Sequence, residues 1–347
     1  MNTPLLQRIG EGPVAVFRAL YLGDMLCAVP ALRALRAALP QARIVLVGLP
    51  WAEQFSKRYS AYLDGFVAFP GHPDLPEQPA LPYAQEDFYS YMREQEFALA
   101  LQMHGSGEVT NGIVAAFGAG TQAGYGTVAK SPCGRKHALP FPQHGAEPLR
   151  LLRLARWLGA DTMGCRLEFP LMPEDWEELE HTGAARGLPA GGYACIHAGA
   201  RLRDKCWPPA RFAEVADRLA LEHGLKIVLT GSASEADLAS AVAARMDTPA
   251  INATVPMSVG AMAALMSGAR LLICNDTGVS HIAAGLGLRS VVIFSKADMG
   301  RWAPLNRRLH RCIRDPEGRK TQLVLAQARS LLAGARMADA AARRHWA

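Results

Sequence analysis

Apolar positions along this chain change period repeatedly, and the changes mark out its elements. Residues 14–17 form a short unbroken apolar run, followed by a loop, 18–24, and by a helical pattern starting near Leu26. In that pattern Val29, Leu32, Leu35 and Leu39 share one face, Arg33 and Arg36 point elsewhere, and Pro40 ends it. Residues 44–47 are apolar again, so strand, loop, helix and strand fit the length of one βαβ unit, about thirty residues. Residues 97–102 read as a further buried strand, while 111–117 and 149–158 have helical period. The proline-rich stretch 70–82 reads as an irregular surface excursion.

A second series begins after Pro170 and Pro173, with 176–186 as a bridging helix. Strands are predicted at 193–196, 226–230, 271–274 and 291–294, and helices at 209–223, 235–245, 257–267 and 279–285. Pro208 and Pro209 suit the first turn of the helix they open. Strands that are apolar throughout and alternate with helices predict parallel sheets covered on both faces. The expectation is an α/β chain of two such domains, 1–172 and 173–325, followed by a basic helix or tail, 326–347. A cleft between the domains and the loops at the carboxyl ends of the strands are where ligands should bind.

Composition narrows the class. At 347 residues the chain exceeds one ordinary hydrophobic core, and 50% apolar with 20% charged residues is a globular profile. No apolar run reaches the length of a bilayer span, and residues 1–12, with Arg8 and Glu11, lack the apolar core of a signal peptide. A cytoplasmic protein is therefore expected. The seven cysteines, Cys133 among them, include no Cys-x-x-Cys pair, so neither a disulfide framework nor a zinc site is expected. Net charge is +6, but residues 301–347 hold eleven Lys or Arg against three Asp or Glu, which leaves the rest slightly acidic. Such a segment is either a solvated helix face or a contact for an anionic partner: lipid at the inner face of the cytoplasmic membrane, phosphorylated glycan or, least favoured, nucleic acid. No nucleic-acid motif accompanies it.

Three strand-end loops hold the candidate chemistry. In the first, Arg18 to Asp24, Asp24 either caps the helix that follows or takes a proton from an attacking hydroxyl, and Gly23 eases the turn. A helix N-terminus stabilises the carboxylate and so weakens it as a base. In the second, His197 to Pro208, Arg201, Arg203 and Lys205 precede a helix start, a combination that suits phosphate or a solvated basic loop. In the third, Asp276 or Thr277 either caps a short helix or joins Gly278 and His281, one turn on, around a diphosphate or ribose. A fourth turn, Gly231-Ser232, caps the next helix or touches nucleotide. The glycines of residues 118–124 imitate a dinucleotide fingerprint but follow a helical stretch rather than a strand. There is no Walker A, His-Glu-x-x-His, Gly-x-Ser-x-Gly or Asp-x-Asp pattern. Charge on a leaving nucleotide would thus be met by side chains and helix ends rather than by a carboxylate-held metal.

In register along the chain, these segments resemble glycosyltransferase family 9, the ADP-heptose:lipopolysaccharide heptosyltransferases. The resemblance runs through Gly23-Asp24 with Val29 to Leu35, His197 to Pro209, Val228 to Ser232, and Asn275 to Ala284. It implies the GT-B fold, two Rossmann-like domains facing a central cleft, with acceptor on the N-terminal domain and donor on the C-terminal one. It further implies an inverting, metal-independent enzyme that moves heptose from ADP-heptose to a lipopolysaccharide hydroxyl. By resemblance Asp24 is the base and Lys205 the cation at the donor phosphates. His197, Gly231, Ser232, Asp276, Thr277, Gly278 and His281 would line the donor, and Arg18 and Gly23 the acceptor. Ala198 and Cys206 differ from the family's usual proline and arginine, and Phe294 to Asp298 from its usual Phe-Gly-Pro-Thr-Asp. A same-fold transferase using another nucleotide sugar, for O-antigen, capsule or protein, is the alternative.

Overall fold

The computed structural model describes residues 4–126 and 135–344; Cys133 and the outermost residues of both ends lie outside that set. The chain divides between Leu167 and Glu168 into two compact units, each with its own sheet.

The first unit runs α1 (Leu5–Ile9), β1 (Val14–Phe17), α2 (Leu22–Ala38), β2 (Ile44–Gly48), α3 (Ala52–Arg58), β3 (Gly65–Ala68), α4 (Pro82–Glu94), β4 (Leu99–Gln102), α5 (Thr110–Ala115), β5 (Thr121–Tyr125), β6 (Arg135–Leu139) and α6 (Glu147–Leu158). Its strands lie in the order β3-β2-β1-β4-β5-β6, all parallel. Val14 of β1 is in register with Ile44 on one side and Leu99 on the other, and all four β1 residues are buried, hence the unbroken apolar run. Phe17, Val47, Phe69, Phe97 and Phe117 form a core in which Phe17 meets Phe69 and Phe117 edge-on, centroids 5.0 and 6.0 Å apart.

The second unit runs α7 (Pro173–Thr182), β7 (Tyr193–His197), α8 (Pro209–His223), β8 (Lys226–Leu229), α9 (Ala236–Ala243), β9 (Ala250–Asn252), α10 (Val259–Ser267), β10 (Leu271–Asn275), α11 (Gly278–Leu286), β11 (Ser290–Phe294), α12 (Met299–Trp302), β12 (His310–Arg314) and α13 (Thr321–Arg344). Its strands are again all parallel, in the order β12-β11-β10-β7-β8-β9. The core gathers Ile196, Trp207, Phe212, Ile273 and Ile293 with Val324, Leu325 and Leu331 of α13. Burying each such side chain stabilises by about 1.5–3 kcal/mol. Within the basic segment, Arg329 is held by the Glu222 carboxylate at 2.6 and 2.7 Å. Among the described residues no helix is long and apolar enough to cross a membrane.

In each sheet the chain winds outward one way, then returns to wind the other. The order reverses between β1 and β4 in the first unit and between β7 and β10 in the second. Beyond the carboxyl ends of those strand pairs lie the ligand positions of open α/β sheets.

The structure departs from the periodicity in two instructive places. α2 begins at Leu22, so Gly23 and Asp24 belong to its first turn rather than to the preceding loop, and Gly23 is not in the left-handed region. Residues 121–124 of that glycine pattern lie in strand β5, where Gly124 is in register with Gln102. A Cβ there would stand 2.6 Å from the Gln102 Cβ, so close strand approach, not phosphate binding, explains that glycine.

Candidate functional site

At the β1/β4 switch point of the first unit, Arg18 follows β1 directly and is 1% exposed. Its guanidinium donates to the Asp24 carbonyl from Nε at 3.2 Å and Nη2 at 2.9 Å, and Nη1 donates to the Met103 carbonyl beyond β4. Nη2 also pairs with Glu147 at 3.3 Å, and Glu147 is shared with Arg150 at 3.5 Å. Arg18 therefore ties the first turn of α2 to the end of β4 and the start of α6. Asp24, half-buried in that turn, has its backbone fixed by this clamp. Arg18 was expected to line the acceptor; its buried donors meet protein carbonyls and a carboxylate, so any bearing on an acceptor runs through the turn it holds.

His104 lies beside this network, stacked on Phe17 at 5.7 Å and 3.8 Å from the Glu77 carboxylate. Burial, with the Arg18 charge adding to it, lowers His104 to about 3, so the imidazole is neutral near pH 7. The Tyr21 hydroxyl donates to the Glu77 carbonyl at 2.9 Å and secures the proline-rich excursion next to the same turn. A cavity of about 900 Å³ opens farther along the sheet, at the ends of β5 and β6, lined by residues including Asn111, Gln122 and Phe141. Neither Arg18 nor Asp24 lines it, so the charged cluster, not the cavity, marks the candidate chemistry in this unit.

At the β7/β10 switch point of the second unit, Asn275 closes β10 with no exposed surface. Its amide donates to the Ala198 carbonyl at 2.8 Å, and its Oδ1 accepts from the Trp207 N–H at 2.9 Å. One side chain thus pins both ends of the His197–Trp207 loop. Trp207 plugs the core while its indole N–H donates to Asp315 at 2.8 Å. His197, at the end of β7, meets the Thr230 hydroxyl at 3.2 Å and lies 3.9 Å from Glu235. Burial lowers the His197 pKa, opposed by the Glu235 charge. Glu235 also accepts from the Ser232 N–H at 2.8 Å and its hydroxyl at 2.7 Å. Ser232 is thus engaged in a capping box for the helix that follows. Gly199 passes so close to this carboxylate that a Cβ would lie 2.1 Å from it.

Thr277 is the N-cap of α11, yet its side chain makes no capping bond; the turn is closed by the Ser280 N–H and hydroxyl, which donate to the Thr277 carbonyl at 3.0 and 2.8 Å. Asp276, Thr277 and Gly278 are half-buried at the strand end. His281, one turn on, is 4% exposed, and burial lowers it to about 4. It meets any ligand as a neutral group. With both histidines neutral, the positive charge of this site comes from the loop after β7. There Arg203 is forked onto Asp237 at 2.9 and 3.1 Å, and Lys296 pairs with Asp204. Lys205, half-buried, makes no side-chain hydrogen bond or ion pair among the described residues. Nor is any group of three or more His, Cys, Asp or Glu side chains arranged there to hold a metal.

The folded chain therefore gathers His197, Lys205, Gly231, Ser232, Asp276, Thr277, Gly278 and His281 onto three neighbouring strand ends, and Arg18, Gly23 and Asp24 onto another. Sequence reasoning passed over Asn275, Glu235, Glu147 and His104 as organisers. Asn275 sits inside a segment already singled out, and Ser232 to Glu235 carries the capping-box spacing; Glu147 and His104 have no local signal.

The family description glycosyltransferase family 9 (heptosyltransferase) matches residues 91–329. Lipopolysaccharide heptosyltransferase 3 of Escherichia coli is 30% identical over 154 residues, which cover 42% of this chain and 44% of that protein. The chain spans about half the length of the curated relatives it matches. The structure of a glycosyl transferase family 9 protein from Veillonella parvula superposes with TM-score 0.80 at 20% identity, covering 94% of this chain and 98% of that one. The Escherichia coli ADP-heptose LPS heptosyltransferase II does so with TM-score 0.71 at 18% identity, covering 93% and 99%. The α/β fold of two parallel sheets read from the sequence is the one these structures have.

Proposed function

The chain belongs to glycosyltransferase family 9, the heptosyltransferase family, and on that premise we propose that it moves heptose from ADP-heptose to a hydroxyl of a lipopolysaccharide core or related glycan, with inversion and without a metal. The observation that carries the reading is Lys205, a half-buried cation at the second switch point with no ion-pair partner among the described residues. The choice of donor follows the named relative that takes ADP-heptose.

In this reading Asp24 accepts the proton of the acceptor hydroxyl, and the oxygen attacks the anomeric carbon. The bond from that carbon to the phosphate oxygen breaks on the opposite face, and the electron pair leaves with ADP. Lys205 offsets the charge that develops on the departing diphosphate, with the N-terminus of α11 and the Thr277 hydroxyl beside it. Asp276 and Gly278 complete that edge, while His197, Gly231 and Ser232 shape the nucleotide side. Gly23 and Arg18 belong to the acceptor side, Arg18 as a positioning residue for the Asp24 turn. One carboxylate suffices because an inverting displacement needs a single base. Domains 1–172 and 173–325 would carry acceptor and donor, and the enzyme would act at the cytoplasmic face of the inner membrane.

The test is transfer itself. Protein in EDTA, given ADP-heptose and a heptose-deficient lipopolysaccharide, should add one heptose by mass, with the anomeric configuration inverted by NMR. A requirement for divalent metal, or transfer only from another nucleotide sugar, contradicts the reading at the corresponding point.

A further inference from the structure

The turn that carries Lys205 is a single 3-10 turn, Arg203–Lys205, closed by the Lys205 N–H donating to Leu202 at 3.0 Å. Three residues with so few backbone bonds do not hold themselves in place. Arg203 is fixed from the α9 side, through Asp237 and through the Ser234 carbonyl at 2.8 Å. Asp204 and Lys205 are held by two consecutive residues of the loop after β11. The Ser295 hydroxyl donates to the Lys205 carbonyl at 2.9 Å, and the Lys296 ammonium pairs with the Asp204 carboxylate.

The charges sort themselves accordingly. The sequence Arg203-Asp204-Lys205 puts a carboxylate next to Lys205, whose ammonium has no ion-pair partner among the described residues. Asp204 is 59% exposed, and its carboxylate, close enough to feel the Lys205 charge, is paired with Lys296. We propose that Ser295 and Lys296 are positioning residues for Lys205, clasping the turn that carries it and keeping the Asp204 carboxylate off its ammonium. The inference rests on the proposed role of Lys205 at the donor diphosphate.

The experiment is calorimetric titration of the full chain with ADP, at low salt, in the parent and in Lys296→Met, Asp204→Asn, the double variant and Lys205→Ala. Lys296 is exposed, so its loss leaves the fold intact. Lys296→Met should weaken ADP about fivefold, the scale of one exposed pair. Asp204→Asn should match the parent, and the double variant should return to it, because the competing carboxylate is gone. Ser295→Ala should weaken ADP about twofold, with recovery in Ser295→Thr. A double variant as weak as Lys296→Met overturns the clasp, since Lys296 would then act on the nucleotide directly; parent-like binding in Lys296→Met also overturns it. Lys205→Ala separates the two claims. Weak binding there beside an unaltered Lys296→Met overturns the clasp alone, whereas unaltered binding in Lys205→Ala overturns the donor-site reading beneath it.

Discussion

Each unit carries a basic residue in a strand-end loop at its switch point, Arg18 in the first and Lys205 in the second, and the two are treated in opposite ways. Arg18 is 1% exposed, with donors on two main-chain carbonyls and a carboxylate. Lys205 is half-buried on a short turn, and its neighbours' charges are taken up by Asp237 and Lys296 while its own is not. A guanidinium that supplies several donors in fixed directions suits the first setting, and a single strongly hydrated ammonium the second. Two basic residues that look alike in a strand-end loop are thus told apart by what surrounds them: one is tied into the fold, and the other, proposed above for the donor diphosphate, has no ion-pair partner among the described residues.

The largest effect expected is at the carboxylate that Arg18 positions. Asp24→Asn should lower the transfer rate by about 10²–10⁴-fold, the usual contribution of a general base, while ADP affinity by calorimetry stays within about twofold. A parallel loss of ADP binding would break the division between acceptor and donor sides. Next is Arg18→Met, which takes the donor from the Asp24 and Met103 carbonyls and one of its two cations from the buried Glu147. Urea unfolding should show a loss of about 3–5 kcal/mol. Lys205→Met should do the reverse, changing stability by no more than about 0.5 kcal/mol but weakening ADP about tenfold, as for a charge-assisted contact. If Lys205→Met unfolds the protein as readily as Arg18→Met, the comparison fails.

The smallest effect is nil at neutral pH and appears on acidification. His281 titrates near 4 in the fold because burial disfavours its charge, and near 6.5 when unfolded. Below about pH 6.5 the unfolded chain takes up a proton that the folded chain refuses, so stability is lost as pH falls toward 4. His281→Asn should flatten the decline of melting temperature over that window; an unchanged slope would mean that His281 is not buried as a neutral group.

Much of this was legible in the sequence, for identifiable reasons. β1, β2, β7, β10 and β11 are buried on both faces and so read as unbroken apolar runs. β3 and β9 escaped notice because they lie at sheet edges and are only partly buried, and β5 because Thr121, Gln122 and Gly124 hide a buried strand behind polar and glycine residues. The start of α2 was misplaced because Gly23 and Asp24 look like a loop, and the Arg18 clamp on the Asp24 carbonyl is invisible in local periodicity. Similarly, the residues able to donate or accept at the second switch point could be named from their loops, but not which of them the fold had already engaged. Ser232, satisfied by Glu235, and Lys205, left unpaired, read alike until folded.

On the proposed reading, the second switch point takes the diphosphate of an adenine nucleotide, with Lys205 as its cation. Calorimetric titration of the parent protein with ADP, UDP and GDP in EDTA tests it most directly. ADP is expected to bind in preference to the other two without added metal. Equal or stronger binding of UDP or GDP, or binding that appears only with a divalent metal, would contradict it.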